Sequence, residues 1–140
     1  GKQVLFQSME KTIHHYELAI ISMDGKQRKR IAFYDGMTYS SGRWSPDGKR
    51  IVYDVKGYDE RGAIAIENAQ AITAKYIDYA LIDNDGSNLW PAWSPEGTQI
   101  AFVSDMEGQT DIYIIPTDGS GLFRVTHNEA KEESPDWTSP

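Results

Sequence analysis

Residues 44–53 read Trp-Ser-Pro-Asp-Gly-Lys-Arg-Ile-Val-Tyr, and residues 93–102 return to the same pattern as Trp-Ser-Pro-Glu-Gly-Thr-Gln-Ile-Ala-Phe. Within each copy, proline presets φ for the first central position of a turn, and glycine tolerates the positive φ that closes it. Ile51 and Tyr53 then keep the two-residue period of a strand, as do their counterparts in the second copy. One such unit predicts a β-hairpin, and two units at a fixed distance predict a repeat.

The repeat extends to both ends of the sequence. Residues 2–8 match the strand that follows the turn in the other copies, and Pro135-Asp136-Trp137 opens a third copy of the motif. Tryptophans 44, 93 and 137 are 49 and 44 residues apart, which leaves room for four short strands per unit. We therefore predict one domain over residues 1–140, with units at about 1–43, 44–92 and 93–134. Residues 135–140 are expected to form the innermost strand of a next or partner unit.

The second unit contains a misleading turn signal. Asp85-Gly86 resembles a hairpin turn, but too few residues separate it from Trp93 for an outer strand and a return. We therefore place Asp85-Gly86 in the loop between units, as its counterpart Asp35-Gly36 is in the first. The strands of the second unit are then expected at residues 51–55, 63–67 and about 72–77, with a turn at Asn68-Ala69.

Composition excludes several classes of function. The net charge of −7 and the pI near 4.9 argue against nucleic acid or an anionic membrane as the partner. The absence of cysteine excludes disulfides, thiol catalysis and cysteine-ligated zinc. No apolar run reaches membrane-spanning length, so no membrane insertion is expected. The sequence also lacks a Gly-x-Ser-x-Gly elbow, a His-Glu-x-x-His motif and a phosphate-binding glycine loop, so catalytic residues are not predicted.

A four-stranded sheet of this length cannot bury both faces alone and must stack on its neighbours, as blades do in a β-propeller. The pattern Pro-x-Trp-Ser-Pro-Asp-Gly, then x-Ile-x-Phe-x-Ser, Ile-Tyr and Asp-Gly resembles the TolB-type, WD-like β-propeller repeat. The resemblance implies an all-β fold of about three blades, each of four antiparallel strands. It also implies a non-catalytic binding scaffold located in the periplasm or secreted. Propellers of this type also accompany prolyl-oligopeptidase-type peptidases and occur in pectin-fragment lyases, so an enzyme-associated propeller is the alternative.

The two ends of the chain are complementary in this interpretation. The first blade lacks an innermost strand, and residues 135–140 supply one without a blade of their own. Unpaired sheet edges are usually avoided. Two explanations fit: a homodimer of half-propellers in which exchanged C-terminal strands give six blades, or a piece taken from a longer chain.

The longer loops of the repeat are expected on one face of the propeller, opposite the Pro-Asp-Gly turns. Long loops on a rigid scaffold commonly carry binding residues. We expect this long-loop face to bind a protein or a polar small molecule, with a cationic or polar partner favoured by its acidic loops. The candidate binding residues are Tyr39, Tyr58, Asp59, Arg61 and His127.

One segment suggests a calcium loop. Asp83 and Asp85 are carboxylates two residues apart before Gly86, but Ser94 stands where an EF-hand requires an acidic residue. Asx-turn hydrogen bonding explains the same residues equally well. No cofactor is therefore predicted, with calcium at Asp83 and Asp85 as the weaker alternative.

Overall fold

The computed structural model describes residues 2–10, 15–32, 34, 36–59, 61–70 and 80–138, and for Glu10 and His15 it describes the backbone only. All regular structure in these ranges is β-strand, and the strands form three antiparallel sheets in chain order. Sheet A contains β1 (Gln3–Glu10), β2 (His15–Ser22) and β3 (Arg28–Ala32). Sheet B contains β4 (Thr38–Trp44), β5 (Arg50–Lys56), β6 (Gly62–Asn68) and β7 (Ala80–Ile82). Sheet C contains β8 (Asn88–Trp93), β9 (Gln99–Ser104), β10 (Asp111–Pro116) and β11 (Phe123–Arg124).

Each sheet is a simple meander, with strand orders β1-β2-β3, β4-β5-β6-β7 and β8-β9-β10-β11. The strand that ends at Trp44 or Trp93 is hydrogen-bonded to the strand after the turn, so the motif joins the first two strands of one sheet. The predicted all-β class and its stacked, propeller-type sheets are confirmed.

The Trp-Ser-Pro-Asp-Gly turn is held by a small set of local hydrogen bonds. The amide of Ser45 donates to the carbonyl of Arg50 at 2.8 Å, and the Ser45 hydroxyl donates to the Asp47 carboxylate at 2.6 Å. Gly48 has φ of +69°, a backbone conformation that favours glycine. Because the hydroxyl of Ser45 and the amide of Lys49 both donate to the carboxylate, the pKa of Asp47 lies below its usual range. The turn predicted from sequence is therefore present as a hydrogen-bonded unit.

Strand alternation divides the apolar residues of sheet B between two cores. Ile51, Tyr53 and Val55 face sheet A, where they pack with Leu18, Ile20 and Ile31. Val52 and Ile64 face sheet C and pack with Trp93, Ile100 and Phe102. Side chains one residue apart on a strand point to opposite faces, so a single strand serves both interfaces. The two cores are the interfaces between neighbouring blades.

The outer strand of the second unit differs from the sequence prediction. It is Ala80–Ile82, paired with Ile64 and Ala65 of β6. The predicted strand at residues 72–77 lies outside the described residues. Asp85-Gly86 lies in the loop between β7 and β8, as expected. The outer strand is closer to this loop than the spacing argument allowed, because a strand of only three residues fits before Asp85-Gly86.

Candidate functional site

A cleft of about 530 Å³ opens at the end of sheet B where the β5–β6 and β7–β8 connections meet. It lies on the long-loop face, and we call it the loop-face cleft. Its volume is in the range of small-ligand sites. The lining residues come from the loop before β4, the strands of sheet B and the two connections: Tyr34, Met37, Tyr39, Val55, Gly57, Asp59, Arg61, Ala63, Ala80 and Asp83.

Tyr39 is a fixed part of the cleft wall. It is 2% exposed, it lies opposite Val55 in the β4–β5 register, and its ring meets Tyr53 edge to face with centroids 6.0 Å apart. Its carbonyl oxygen accepts a hydrogen bond from the Gln7 side chain at 3.0 Å, which ties it to sheet A. This wall is therefore pre-formed by the interface between the first two blades.

Charged side chains form the rim. The Arg61 guanidinium donates from Nε to Asp59 Oδ2 at 2.9 Å and from Nη1 to Asp85 Oδ1 at 2.9 Å. The hydrogen bond from Arg61 is the main reason that the pKa of Asp59 lies below its usual range. Arg61 thereby links two connections that are 24 residues apart in sequence.

Tyr58 stands beside this cleft and is 83% exposed. Its ring covers Gly36, where a β-carbon would come within 2.2 Å of the tyrosine ring. Gly36 also has φ of +84°, so both space and backbone conformation favour glycine there. Tyr58 therefore presents a large aromatic surface to solvent next to the cleft rim.

The suggested calcium segment is occupied by hydrogen bonds within the protein. Asn84 Oδ1 accepts from the amide of Gly86 at 2.9 Å, which is an Asx turn. The buried Asn88 donates from Nδ2 to the carbonyl of Gly62 at 2.7 Å and to Asn84 Oδ1 at 3.1 Å. Asp85 bonds Arg61, as described above. Among the described residues, no group of three or more His, Asp or Glu side chains is arranged to hold a metal ion.

The sequence-predicted binding residues are thus partly brought together. Tyr39, Asp59 and Arg61 line one cleft, and Tyr58 lies beside it. His127 follows β11 of sheet C, is exposed, and is not among the residues lining the cleft. Sequence reasoning missed Met37, Val55, Ala63 and Ala80, since their apolar side chains look like ordinary core positions. Tyr34 lies in the loop before β4, five residues before the predicted Tyr39, and this closeness in sequence was the available signal.

A second, smaller cleft of about 340 Å³ lies between the first strands of consecutive blades, with Trp44, Trp90 and Trp93 among its lining residues. The residue three positions before each motif tryptophan has positive φ: Ser41 at 50°, Trp90 at 53° and Ser134 at 47°. In β4 and β8 this coincides with a β-bulge. Left-handed backbone at non-glycine residues is strained and needs surrounding support.

Asp54 gives that support at Trp90. Its side chain is fully buried, and its Oδ2 accepts from the amide of Trp90 at 3.1 Å, while Oδ1 accepts from the Ser40 hydroxyl. One carboxylate therefore holds a bulge of sheet C and a strand of sheet B together. This contact joins the second blade to the third.

Residues 3–140 match the family model described as "TolB beta propeller domain". The chain belongs to the TolB β-propeller family. Among curated proteins, it is 34% identical over 124 residues to "Tol-Pal system protein TolB" of Anaeromyxobacter dehalogenans strain 2CP-C. The aligned residues cover 87% of this chain and 26% of that protein. The chain therefore spans about a quarter of the length of this TolB relative.

Solved structures show the same fold. The crystal structure of TolB from Acinetobacter baumannii superposes with a TM-score of 0.76 at 22% identity, covering 98% of this chain and 33% of that one. An oligogalacturonate lyase in complex with manganese superposes with a TM-score of 0.59 at 16% identity, covering 80% and 29%. Both likenesses concern the propeller fold alone, and one of the two neighbours is named as an enzyme. None of the described residues of this TolB-family chain lies in a helix that could cross a membrane.

Proposed function

We propose that this TolB-family chain is a non-catalytic binding scaffold that contacts a partner protein with its long-loop face. The observation that carries the proposal is the loop-face cleft, where a rigid aromatic wall at Tyr39 meets a charged rim at Asp59 and Arg61. Beside it, Tyr58 offers the kind of exposed aromatic side chain that is enriched at protein interfaces.

The name of the Anaeromyxobacter relative supplies the first partner to test. That relative is named as a protein of the Tol-Pal system, so the proposed partner is the Pal protein of the organism from which this chain comes. The same name, together with the family resemblance, supports a periplasmic or secreted location.

The affinity of the chain for purified Pal, measured by titration calorimetry, tests the proposal. Tyr58→Ala is expected to weaken binding by at least about tenfold, and Arg61→Ala to change it by about threefold or more. Phe123→Ala is the matched control, because Phe123 is an exposed aromatic residue, 63% accessible, on the outer strand of sheet C. If neither Tyr58→Ala nor Arg61→Ala alters the affinity, the long-loop face is not the binding surface.

We further propose that the 140-residue chain self-associates by exchange of its C-terminal segment. Ile51 and Ile100 are each 0% exposed: each lies opposite the motif tryptophan of the preceding strand and packs against the preceding blade. Val4 is their repeat equivalent in β1, the edge strand of sheet A, and it is 46% exposed. An innermost strand supplied to β1, together with sheet C of the partner copy stacked on sheet A, would cover it.

The C-terminal segment has the local geometry of such a strand. Ser134 repeats the left-handed backbone of Ser41 and Trp90, and the Trp137 indole bonds the blade before it as the Trp93 indole does. In the repeat register, Trp137 of one copy would lie opposite Val4 of the other. Two such exchanges would give six blades about a twofold axis.

A further inference from the structure

The loop-face cleft already holds one guanidinium. Arg61 reaches across its rim and pairs with Asp59 and Asp85, each at 2.9 Å. These side chains are largely open to solvent, with relative accessibilities of 53% for Arg61, 56% for Asp59 and 103% for Asp85. Exposed ion pairs of this kind are weak and are readily exchanged for another partner.

The rim keeps an excess of negative charge even with Arg61 in place. Among the rim residues that the structure describes, three carboxylates, Asp59, Asp83 and Asp85, stand against one guanidinium, a formal charge of −2. Asp83 lines the cleft and takes part in none of the ion pairs found among the described residues. The cleft is therefore complementary to a cation that arrives from outside.

The walls suit the stem of a long basic side chain. Met37, Val55 and Ala63 are apolar, and Tyr34, which is 41% exposed, adds an aromatic surface. Arginine combines an apolar stem with a planar head that stacks on aromatic rings and binds carboxylates in a fork. The same chain uses such stacking elsewhere, since the Arg50 guanidinium lies 4.7 Å from the centroid of the Trp93 ring.

We propose that the loop-face cleft binds an arginine side chain of the partner protein, and that Arg61 occupies the carboxylates until that arginine displaces it. This inference rests on the proposed function, because it assigns the chemistry of the partner at the same face. Arg61 is then a competitor of the incoming group. Its removal is expected to strengthen the binding of an arginine ligand.

The probe is the peptide acetyl-Gly-Arg-Gly-amide at millimolar concentration, followed through the backbone amide resonances of Gly57, Asp59 and Asp83. Its matched control is the same peptide with citrulline, which keeps the shape of arginine and removes the charge. We expect saturable shifts at these amides with arginine and none with citrulline. Equal responses to the two peptides, or no response to either, overturn the inference.

Three variants fix the roles of the side chains. Arg61→Gln is expected to tighten peptide binding about three- to tenfold, since two exposed ion pairs no longer compete. Asp83→Asn is expected to weaken it about fivefold. Asp118→Asn, in an Asx turn beyond β10 on the opposite face, is expected to leave peptide binding unchanged.

Weaker binding by Arg61→Gln would show that Arg61 contacts the ligand directly and would overturn the displacement mechanism. If the wild-type chain does not bind the arginine peptide, but Tyr58→Ala still weakens its binding to Pal, then this inference is overturned and the proposed function stands.

Discussion

The Trp137 indole donates a hydrogen bond to the carbonyl of Ala92 at 3.1 Å, and this repeats the bond from Trp93 to the carbonyl of Arg43 at 3.1 Å. In both cases the acceptor is the residue just before the motif tryptophan of the preceding repeat. The motif therefore does more than close a turn. It links each blade to the one before it through the indole nitrogen.

The two indole bonds should differ in their contribution to stability. Trp93→Phe is expected to lower the free energy of unfolding by about 2 kcal/mol, because it removes the hydrogen bond and weakens the stacking of Arg50 on a buried ring. Trp137→Phe removes the same bond at a partly exposed position and is expected to cost about 1 kcal/mol. Urea denaturation measures both. A larger loss for Trp137→Phe would contradict the account of the motif.

Asp54 is expected to be the main polar contact between the second and third blades. Asp54→Ala leaves the Trp90 amide without its acceptor at a strained position, so the free energy of unfolding should fall by about 2 kcal/mol. Asp54→Asn keeps an acceptor and is expected to cost about half as much. Denaturation curves for the two variants check this, and a loss below about 0.5 kcal/mol for Asp54→Ala would count against the role of the bridge.

Tyr113 carries a buried hydroxyl that has no hydrogen-bond partner among the described residues. Tyr113→Phe keeps the packing of the ring on Phe102, whose centroid is 5.9 Å away, and removes that group. We expect the free energy of unfolding to rise by about 1 kcal/mol. Tyr53→Phe is the comparison in the other core, where the hydroxyl is not among these unsatisfied groups, and it should not stabilise. A destabilised Tyr113→Phe protein would mean that its hydroxyl has a partner.

Self-association should depend on the exposed edge of sheet A. Val4→Arg places a charge where the exchanged strand would pack, so the chain is expected to become monomeric at micromolar concentration in analytical ultracentrifugation. Val125→Arg is the matched control, because Val125 is a valine of similar exposure, 42% against 46%, beside the outer strand of sheet C. A monomeric wild-type chain, or an equal effect of both substitutions, would contradict strand exchange.

The fold followed from local patterns wherever those patterns were complete. The two-residue period of Ile51 and Tyr53 predicted a strand, and the Pro-Asp-Gly turn predicted the hairpin. The outer strand Ala80–Ile82 escaped prediction for a physical reason. Three residues are too few to establish a two-residue period, and the spacing argument placed the outer strand earlier, at about residues 72–77.

The candidate site was predictable only as a face. Because successive connections alternate between the two ends of a meander, the start of β4 with Tyr39 and the β5–β6 connection with Asp59 and Arg61 were expected at the same end of the sheets. The ion pair between Arg61 and Asp85 depends on how two connections 24 residues apart approach each other. The apolar lining at Met37 and Val55 could not be distinguished in sequence from core residues, since burial is decided by the neighbouring blade.

The most direct test of the central claim is a residue-level footprint of Pal on the isotopically labelled chain, read from amide chemical shifts during titration. We predict that perturbed amides cluster at Gly57, Asp59, Arg61 and Asp83, on the long-loop face. The amides around Asp24, Asp47 and Asp118, in the short turns at the other ends of the strands, should remain unchanged. A footprint centred on those turns, or no footprint at saturating Pal, would contradict the account.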